Sequence, residues 1–205
     1  MDIEQAIGYI YGLRGEHQPA QERFLALLHA LGDPHRAFRS VHVAGTNGKG
    51  STCAFLSSIL SAHGKKTGLF TSPYLERFNE RMQIGGMPIS DAELVAAVRS
   101  VRAAAETIEA RQGEIRPFEA ITAAAFLWFA QNGVEAAVIE TGLGGGMDAT
   151  NVLDPSHVAI TSISYDHTRR LGSRLEDIAQ EKAGIIKRGA FVAVHPQEKE
   201  VEDVL

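Results

Sequence analysis

The sequence predicts an α/β domain, with a mostly parallel β-sheet and helices on both of its faces. Short β-rich runs alternate with longer helical stretches, and parallel strands require such crossover connections. Residues 40–44, Ser-Val-His-Val-Ala, lead straight into a glycine-rich turn, and a helical pattern follows that turn. The chain has 205 residues, of which 44% are hydrophobic, so it can bury one substantial core and is not disordered.

Charge and cysteine content exclude several classes of protein. The net charge of −5 argues against a nucleic-acid binder that works by overall positive charge. The single cysteine, Cys53, excludes an internal disulfide framework and fits a reducing compartment. The N-terminal residues lack the pattern of a signal peptide, and the most apolar window, residues 118–130, is shorter than the roughly 18 residues of a membrane span. We therefore expect a cytoplasmic protein with no nucleic-acid or membrane partner.

The first half of the chain contains three predicted helices and at least three predicted strands. The second helix has apolar residues at 24, 27, 28 and 31, and Gly32-Asp33-Pro34 ends it. Gly64 is placed to terminate the third helix, and Gly85-Gly86 suggests the turn of a hairpin. In chain order we predict helices at 2–13 and 21–31, a strand at 40–44, a helix to about 63, a strand at 66–71 and a hairpin at 81–89.

The second half continues the alternation of helices and strands. Ser90 and Glu93 form a capping box that begins a long helix, whose Ala/Arg/Glu-rich body is typical of a solvated outer helix. Pro117 can begin the next helix. In chain order we predict helices from 90 to about 112 and from 117 to 131, strands at 136–140, 158–163 and 191–194, a helix at 175–182 and a helix start at 198–205. The last strand would leave an unfinished sheet edge, which is an aggregation liability if it is free.

The glycine-rich turn is the most specific local signal. Residues 45–51 read Gly-Thr-Asn-Gly-Lys-Gly-Ser, and their backbone N–H groups can form an anion cradle at a helix N-terminus. Lys49 would supply positive charge to the outer phosphates, and Ser51 or Thr52 a hydroxyl near Mg²⁺. The strict P-loop pattern is not matched, because Val43 stands at its first glycine and Gly50 follows the lysine. The alternative is a glycine-rich β–α turn with an exposed lysine.

Two further residues follow predicted strands and are candidate ligands. Glu140 ends an apolar strand, and ligands of open α/β sheets bind at the carboxyl ends of strands. A loop or capping glutamate is the alternative. His167 lies beside Asp166 after another strand, but Mg²⁺ prefers oxygen ligands, so chemistry alone does not assign this histidine to magnesium. By spacing alone, Lys182 is a surface lysine paired with a nearby carboxylate.

Five short motifs follow one another between about residues 21 and 194. They are residues 45–51; Ser72-Pro73-Tyr74-Leu75 with Glu80-Arg81; residues 118–122; residues 140–145 with Asp148-Ala149-Thr150-Asn151; and Asp166-His167-Thr168 with residues 181–187. Together they resemble the folylpolyglutamate synthase and bifunctional dihydrofolate synthase family of the Mur ligase superfamily. The glycine inserted after the lysine is the form seen in that family.

The resemblance implies an ATP-dependent amide ligase. Such an enzyme adds L-glutamate to a folate or to dihydropteroate through an acyl phosphate, with ATP and Mg²⁺. It further implies that residues 1–205 are an N-terminal ATP-binding domain of the Mur ligase central type. That domain would be incomplete and would lack the C-terminal glutamate-binding domain, and the full-length protein would be a monomer.

The resemblance also assigns roles to individual residues. Lys49 and Lys182 would be catalytic, with Lys182 carbamylated so that its cation becomes an anion that supports the metal site. ATP would be bound by Thr46, Asn47, Gly48, Lys49, Gly50 and Ser51. The metal would be bound by Ser72, Glu140 and His167. The pterin substrate would be bound by Arg116, Pro117, Phe118, Glu119, Met147, Asp148 and Ala149.

Some features leave other interpretations open. Phe118 could stack on a pterin, or it could simply be the first apolar residue of a core helix. Gly146 stands where the family usually has arginine, which puts substrate affinity or loop order in doubt. Another Mur-type ligase and a nucleotide-binding fragment without ligase activity therefore remain as alternatives, and a generic P-loop switch protein is disfavoured.

Overall fold

A seven-stranded sheet forms the centre of the computed structural model, which describes residues 1–15 and 20–205. Its strands are β1 (Arg39–Ala44), β2 (Thr67–Phe70), β3 (Met82–Ile84), β4 (Met87–Pro88), β5 (Ala136–Glu140), β6 (His157–Ile160) and β7 (Phe191–Val194). The order across the sheet is β4-β3-β2-β5-β1-β6-β7. Strands β2, β5, β1, β6 and β7 are parallel, whereas the β3–β4 hairpin pairs antiparallel with β2. The predicted fold class, a mostly parallel sheet, is confirmed.

Apart from one short helix, the described α-helices occur where the sequence predicts them. They are α1 (Ile3–Gly12), α2 (Ala20–Ala30), α3 (Lys49–Ala62), α4 (Asp91–Gln112), α5 (Pro117–Gln131), α6 (Thr168–Leu171), α7 (Leu175–Ala183) and α8 (Lys199–Glu202). The predicted capping box of α4 is present, since Ser90 Oγ accepts from the Glu93 amide and Glu93 Oε2 accepts from the Ser90 amide. Helix α6 was not predicted, because four residues are too few to show a helical period.

The prediction that α4 is a solvated outer helix is wrong for one of its faces. Leu94, Val98, Val101 and Ala105 are buried, and their spacing of three to four residues places them on one stripe. This stripe belongs to the main hydrophobic core, which also includes most of α5. The Ala/Arg/Glu-rich composition concealed the stripe, because small alanines fill much of the buried face.

Both faces of the sheet are covered, as predicted. Side chains alternate along a strand, so neighbouring residues of β5 belong to opposite layers. Ala137 and Ile139 pack in the cluster that contains α5, whereas Val138 packs with Cys53 of α3. A third cluster packs α7 and α8 against β6 on the α5 side. Helix α3 therefore covers one face, and α5 and α7 cover the other.

Helix α5 is almost entirely enclosed. Residues 119–129 are all buried, because α5 lies between the sheet and helices α1, α2 and α4. None of the described helices is long and apolar enough to cross a membrane.

Strand β6 ends three residues before its predicted end. The Thr161 amide still donates to Ala44 O at the end of β1, but the backbone of Ser162 contacts the glycine-rich turn after β1. Ser162 O accepts from the Thr46 amide at 2.7 Å, and Asn47 and Ser162 form an isolated antiparallel bridge. The strand is shortened by a tertiary contact that a local sequence pattern does not contain.

Candidate functional site

The turn after β1 is built for close backbone approach. Gly45 has φ = +148°, and a β-carbon there would overlap the Thr161 hydroxyl, so only glycine fits. Gly48, with φ = +81°, is the N-cap of α3, whose first residue is Lys49. The turn therefore presents the N-terminus of a 14-residue helix at the carboxyl edge of the sheet, an arrangement suited to anions.

Contacts with the β6 loop hold this turn in place. Thr46 Oγ1 donates to Ser164 O at 3.0 Å and accepts from the Ser164 amide at 3.1 Å. The Lys49 ammonium donates to Thr46 O at 3.1 Å, so it lies over the turn. Among the residues predicted to bind ATP, Thr46 is thus engaged in fixing the turn, while Asn47 and Gly48 are exposed and Lys49 is half-buried.

Strand order brings Ser72 and Glu140 together. Strands β2 and β5 are parallel neighbours with Phe70 opposite Ile139, so the residues that follow them meet at one edge. The Ser72 amide donates to Glu140 Oε2 at 3.0 Å. A β-carbon on Gly50 would lie 3.6 Å from the same oxygen, so the turn faces this carboxylate.

Glu140 is a buried carboxylate whose negative charge is only partly stabilised by its neighbours. Its side chain is 4% exposed. Burial raises the pKa of Glu140 above its ordinary value, and the Ser72 N–H and the charge of Lys49 oppose that rise only in part. A divalent cation beside Glu140 would remove this penalty by stabilising the ionised form.

The donors around Glu140 fit a hard cation. The Ser72 hydroxyl and the Glu140 carboxylate are oxygen ligands on segments that meet at this edge, and Mg²⁺ prefers such ligands. His167 follows β6 at the same edge, but its ring is exposed and lies 3.7 Å from Asp166. No cluster of three or more His, Cys, Asp or Glu side chains suited to a metal occurs in the described parts of the chain. The arrangement therefore unites Ser72 with Glu140, and His167 makes no described contact with either.

Lys182 is not the surface lysine that its spacing suggested. It is 4% exposed, and its ammonium donates to Gly45 O at 2.7 Å. Burial, followed by the nearby charge of Lys49, lowers the pKa of Lys182 to about 8. Helix α7 packs its inner face against β6, which turns Lys182 inward beneath the glycine-rich turn. The neighbouring acidic residues suggested exposure, but Leu175, Ile178 and Ala179 place Lys182 on the buried stripe of α7.

Two carboxylates hold the loop at residues 142–147. Asp148 Oδ2 accepts from the Gly142 and Leu143 amides at 3.0 and 2.9 Å. Glu181 Oε1 accepts from the Met147 amide at 2.8 Å, and Glu181 O accepts from the Gly146 amide at 2.7 Å. The loop is therefore held without an arginine at position 146.

Asp148 is itself supported by a buried histidine. Its Oδ1 accepts from the Thr150 hydroxyl at 2.5 Å, and that hydroxyl lies 2.8 Å from His42 Nε2. Since Thr150 donates to Asp148, it accepts from His42 Nε2–H. His42 is fully buried in β1, and burial lowers its pKa to about 3, so the ring is neutral. The alternation of side chains along β1 places His42 in the core. Its contact with Thr150 joins residues far apart in the sequence, so only the folded structure shows it.

Five of the seven residues predicted to bind the pterin line one cleft of about 450 Å³. The cleft is lined by Gln21, Glu22, Phe24, Arg116, Glu119, Gly146, Met147, Asp148, Ala149 and Val152. Pro117 and Phe118 are absent from this lining. The Phe118 ring packs beneath Gly142, and a β-carbon on Gly142 would lie 2.5 Å from Phe118 Cζ. The centroids of the Phe118 and Phe70 rings are 5.9 Å apart. Phe118 is half-buried and packs against the main core, and its contact with a pterin stays a prediction.

Glu119 is held by an ion pair that the sequence did not reveal. Arg23 Nη2 lies 2.8 Å from Glu119 Oε1, Arg23 Nε donates to Oε2 at 3.1 Å, and both side chains are 1% exposed. Glu119 also accepts from the Arg116 amide at 2.9 Å, which caps α5. Its oxygens are therefore engaged in joining α2 to α5 at the wall of the cleft. Arg23 lies in a helix with an evident apolar stripe, but its partner is 96 residues away.

The comparisons with known proteins agree with these features. The family model of the Mur ligase middle domain matches residues 43–202. The chain belongs to the Mur ligase middle domain family. The match includes the turn at 45–51, the Ser72–Glu140 pair and Lys182, and it confirms the family expected from the five motifs.

Individual relatives of this Mur ligase domain are folate enzymes. The chain is 44% identical over 196 residues to a folylpolyglutamate synthase of Lacticaseibacillus casei, covering 92% of this chain and 45% of that protein. It is 43% identical over 205 residues to a dihydrofolate synthase/folylpolyglutamate synthase of Bacillus subtilis, covering 98% and 48%. A solved FPGS–AMPPCP–folate complex superposes with a TM-score of 0.95 at 43% identity, over 100% of this chain and 50% of that one. The chain thus spans about half the length of the relatives it matches.

Proposed function

We propose that this Mur ligase domain is the ATP-binding part of a ligase that attaches L-glutamate to a folate or to dihydropteroate. The observation that carries the proposal is the meeting of the glycine-rich turn with the Ser72–Glu140 pair, in a chain so similar to folylpolyglutamate synthases. We further propose that residues 1–205 act together with a glutamate-binding domain, since the relatives are about twice as long.

The turn and its neighbourhood have the properties required to bind ATP. The backbone amides at the start of α3 and the Lys49 ammonium favour the phosphates. A cleft of about 460 Å³ adjoins Asn47, Gly48 and Thr52 and extends along the ends of β6 and β7, where a nucleoside could lie. Ser72, Glu140 and the hydroxyls at the start of α3 would hold Mg²⁺, and His167 would need to turn toward them to join.

The proposed reaction begins with phosphoryl transfer from ATP to the substrate carboxylate, which yields an acyl phosphate and ADP. The amine of glutamate then attacks the acyl carbon, an amide bond forms, and phosphate leaves. Phosphoryl transfer depends on positioning and charge neutralisation more than on covalent help from the protein. When bound, Mg²⁺ would supply part of that neutralisation. Lys49 would supply another part, and the buried wall around Glu140 would limit access of water.

The cleft beside the loop at residues 142–147 is the proposed pterin site. It is partly apolar through Phe24, Met147 and Val152, and it is bordered by polar groups of Arg116 and Asp148. Such a mixture suits a flat heteroaromatic ligand that also carries hydrogen-bonding edges. Lys182, as a carbamate, would place a negative charge beneath the turn and support the metal.

The test is glutamate incorporation by the protein expressed from its complete gene, with ATP, Mg²⁺ and either dihydropteroate or tetrahydrofolate as acceptor. We expect incorporation with at least one acceptor, and a loss of at least about 1,000-fold in Glu140→Ala and Lys49→Ala, because each removes charge stabilisation at the phosphates. Lys65→Ala is the matched control, since Lys65 forms only an exposed ion pair with Glu135. ATP binding without incorporation, or near-normal turnover of Glu140→Ala, would contradict the proposal.

A further inference from the structure

Arg81 is a buried cation without an ionic partner. The residue is 9% exposed, and its Nε is buried without a hydrogen-bond partner. Within residues 1–15 and 20–205, its guanidinium forms neither a hydrogen bond nor an ion pair. Arginine is almost never buried unpaired, because desolvation of its charge is costly. The position therefore requires an explanation beyond packing.

Aromatic rings hold the Arg81 side chain in place. Its guanidinium carbon lies 5.0 Å from the Tyr74 ring centroid and 5.5 Å from that of Phe78. These cation–π contacts stabilise the charge but give its N–H groups no acceptor among the described residues. The two rings therefore fix the orientation of the planar Arg81 guanidinium but accept no hydrogen bond from it.

The backbone around Arg81 places it beside the Ser72–Glu140 pair. Arg81 O accepts from the Thr71 amide at 3.0 Å, and Thr71 immediately precedes Ser72. The positive charge of Arg81 acts to lower the pKa of Glu140, yet no ion pair joins these two side chains. Lys49 and Arg81 act to lower the pKa of Glu140 and Asp148 acts to raise it, so two cations and a second carboxylate lie around this buried group.

We propose that Arg81 binds the carboxylate of the acceptor substrate, the group that is to be joined to glutamate. This inference rests on the proposed function. The reacting carboxylate must approach the phosphates at the Ser72–Glu140 edge, where Arg81 is the nearby guanidinium without a partner. A guanidinium matches a carboxylate through two parallel hydrogen bonds, so it would both orient the acceptor and neutralise its charge.

The experiment compares Arg81→Gln with wild type in the protein expressed from its complete gene. Affinity is measured by calorimetry for dihydropteroate and for its carboxamide analogue, which lacks the negative charge. We expect Arg81→Gln to bind dihydropteroate about 10- to 100-fold more weakly, the usual effect of losing hydrogen bonds to a charged group, and to bind the carboxamide within about twofold of wild type. Arg81→Lys should recover only part of the loss, because an ammonium lacks the planar pair of donors.

Controls separate this role from a structural one. Arg77→Gln, in the same turn, removes an exposed arginine that pairs with Asp91 at 3.3 Å, and it should change neither affinity. The melting temperature of Arg81→Gln should fall only slightly, because the substitution removes two cation–π contacts but no ion pair. Equal weakening of acid and carboxamide, or a rise in KM confined to glutamate, would overturn the assignment. If wild type incorporates no glutamate, the proposed function fails, while the binding comparison still decides on Arg81.

Discussion

At the scale of single residues, burial is what distinguishes the candidate site. Glu140, Lys182 and Arg81 are at most 9% exposed, although they are charged side chains of types that usually lie at the surface. Each has a perturbed pKa or an unsatisfied donor, and such groups concentrate at functional sites. Their chemical types are evident from the sequence, but their burial is not, because it depends on which elements cover them.

Lys182 leads to a prediction about carbamylation. A neutral amine attacks CO₂ to give a carbamate and a proton, and the pKa of about 8 provides far more neutral amine at neutral pH than an ordinary lysine near 10.5. We expect a carbamate signal in ¹³C NMR with labelled bicarbonate, rising as the pH increases from 7 to 8.5, and absent in Lys182→Ala. Lys65→Ala, which alters an exposed lysine, should keep the signal. Full ligase activity of Lys182→Ala would rule out a role for the modification.

His42 leads to a prediction about pH and stability. Its pKa is about 3 in the folded state and 6.5 ordinarily, so the unfolded chain binds the extra proton between these values. Stability should therefore fall as the pH drops below about 6.5, by up to about 1.4 kcal/mol per pH unit for this group. Urea unfolding of His42→Gln between pH 6.5 and 5 should show a correspondingly smaller slope. The same change at the exposed His195 is the control, and an unchanged slope in His42→Gln would contradict the assignment.

At the scale of elements, a few long-range contacts position the cleft. Helix α2 is joined to α5 by the Arg23–Glu119 ion pair, and the loop at 142–147 is joined to α7 by Glu181. The close approach of Gly184 to Gly146 allows the second contact, since a β-carbon on Gly184 would lie 2.5 Å from Gly146 Cα. Most element types and bounds could be predicted from periodicity and capping residues, whereas these contacts could not, because they join segments far apart in sequence.

The Arg23–Glu119 pair leads to a stability prediction. Glu119→Gln leaves Arg23 buried without a counter-charge, so we expect a loss of about 3–5 kcal/mol in the free energy of unfolding. The double variant Arg23→Met/Glu119→Gln should lose less than the sum of the single variants, because it leaves no buried charge unpaired. Lys65→Met breaks an exposed pair and should cost less than about 1 kcal/mol. Denaturant titration provides all of these values, and additive losses would show that the two groups do not interact.

At the scale of the whole molecule, the described sheet has an open edge at β7. Strand β7 pairs with β6, and no described strand pairs with its other edge. Phe191 in β7 is 66% exposed, and Phe55 and Ile59 on the outer side of α3 are also exposed. Unpaired strand edges with apolar neighbours promote association between chains.

The exposed edge leads to a prediction about self-association. The 205-residue chain expressed alone should associate at high concentration, and Phe191→Lys should raise the dissociation constant about tenfold or more, because burial of a phenylalanine contributes about 1.5–3 kcal/mol. Leu75→Lys is the control, since Leu75 is 94% exposed in a loop away from β7. Sedimentation at several concentrations measures both variants. Equal behaviour of the two would show that β7 does not mediate association.

The sequence by itself determined the alternation of strands and helices, the caps, the glycine-rich turn and the family to which the chain belongs. These are local signals: period, capping residues and glycines at particular positions. The tertiary structure alone decided that Ser72 meets Glu140, that Lys182 turns inward, and that Arg23 pairs with Glu119. Strand order causes the first contact, and helix packing causes the other two. The partners lie far apart in the sequence, so no local pattern identifies them.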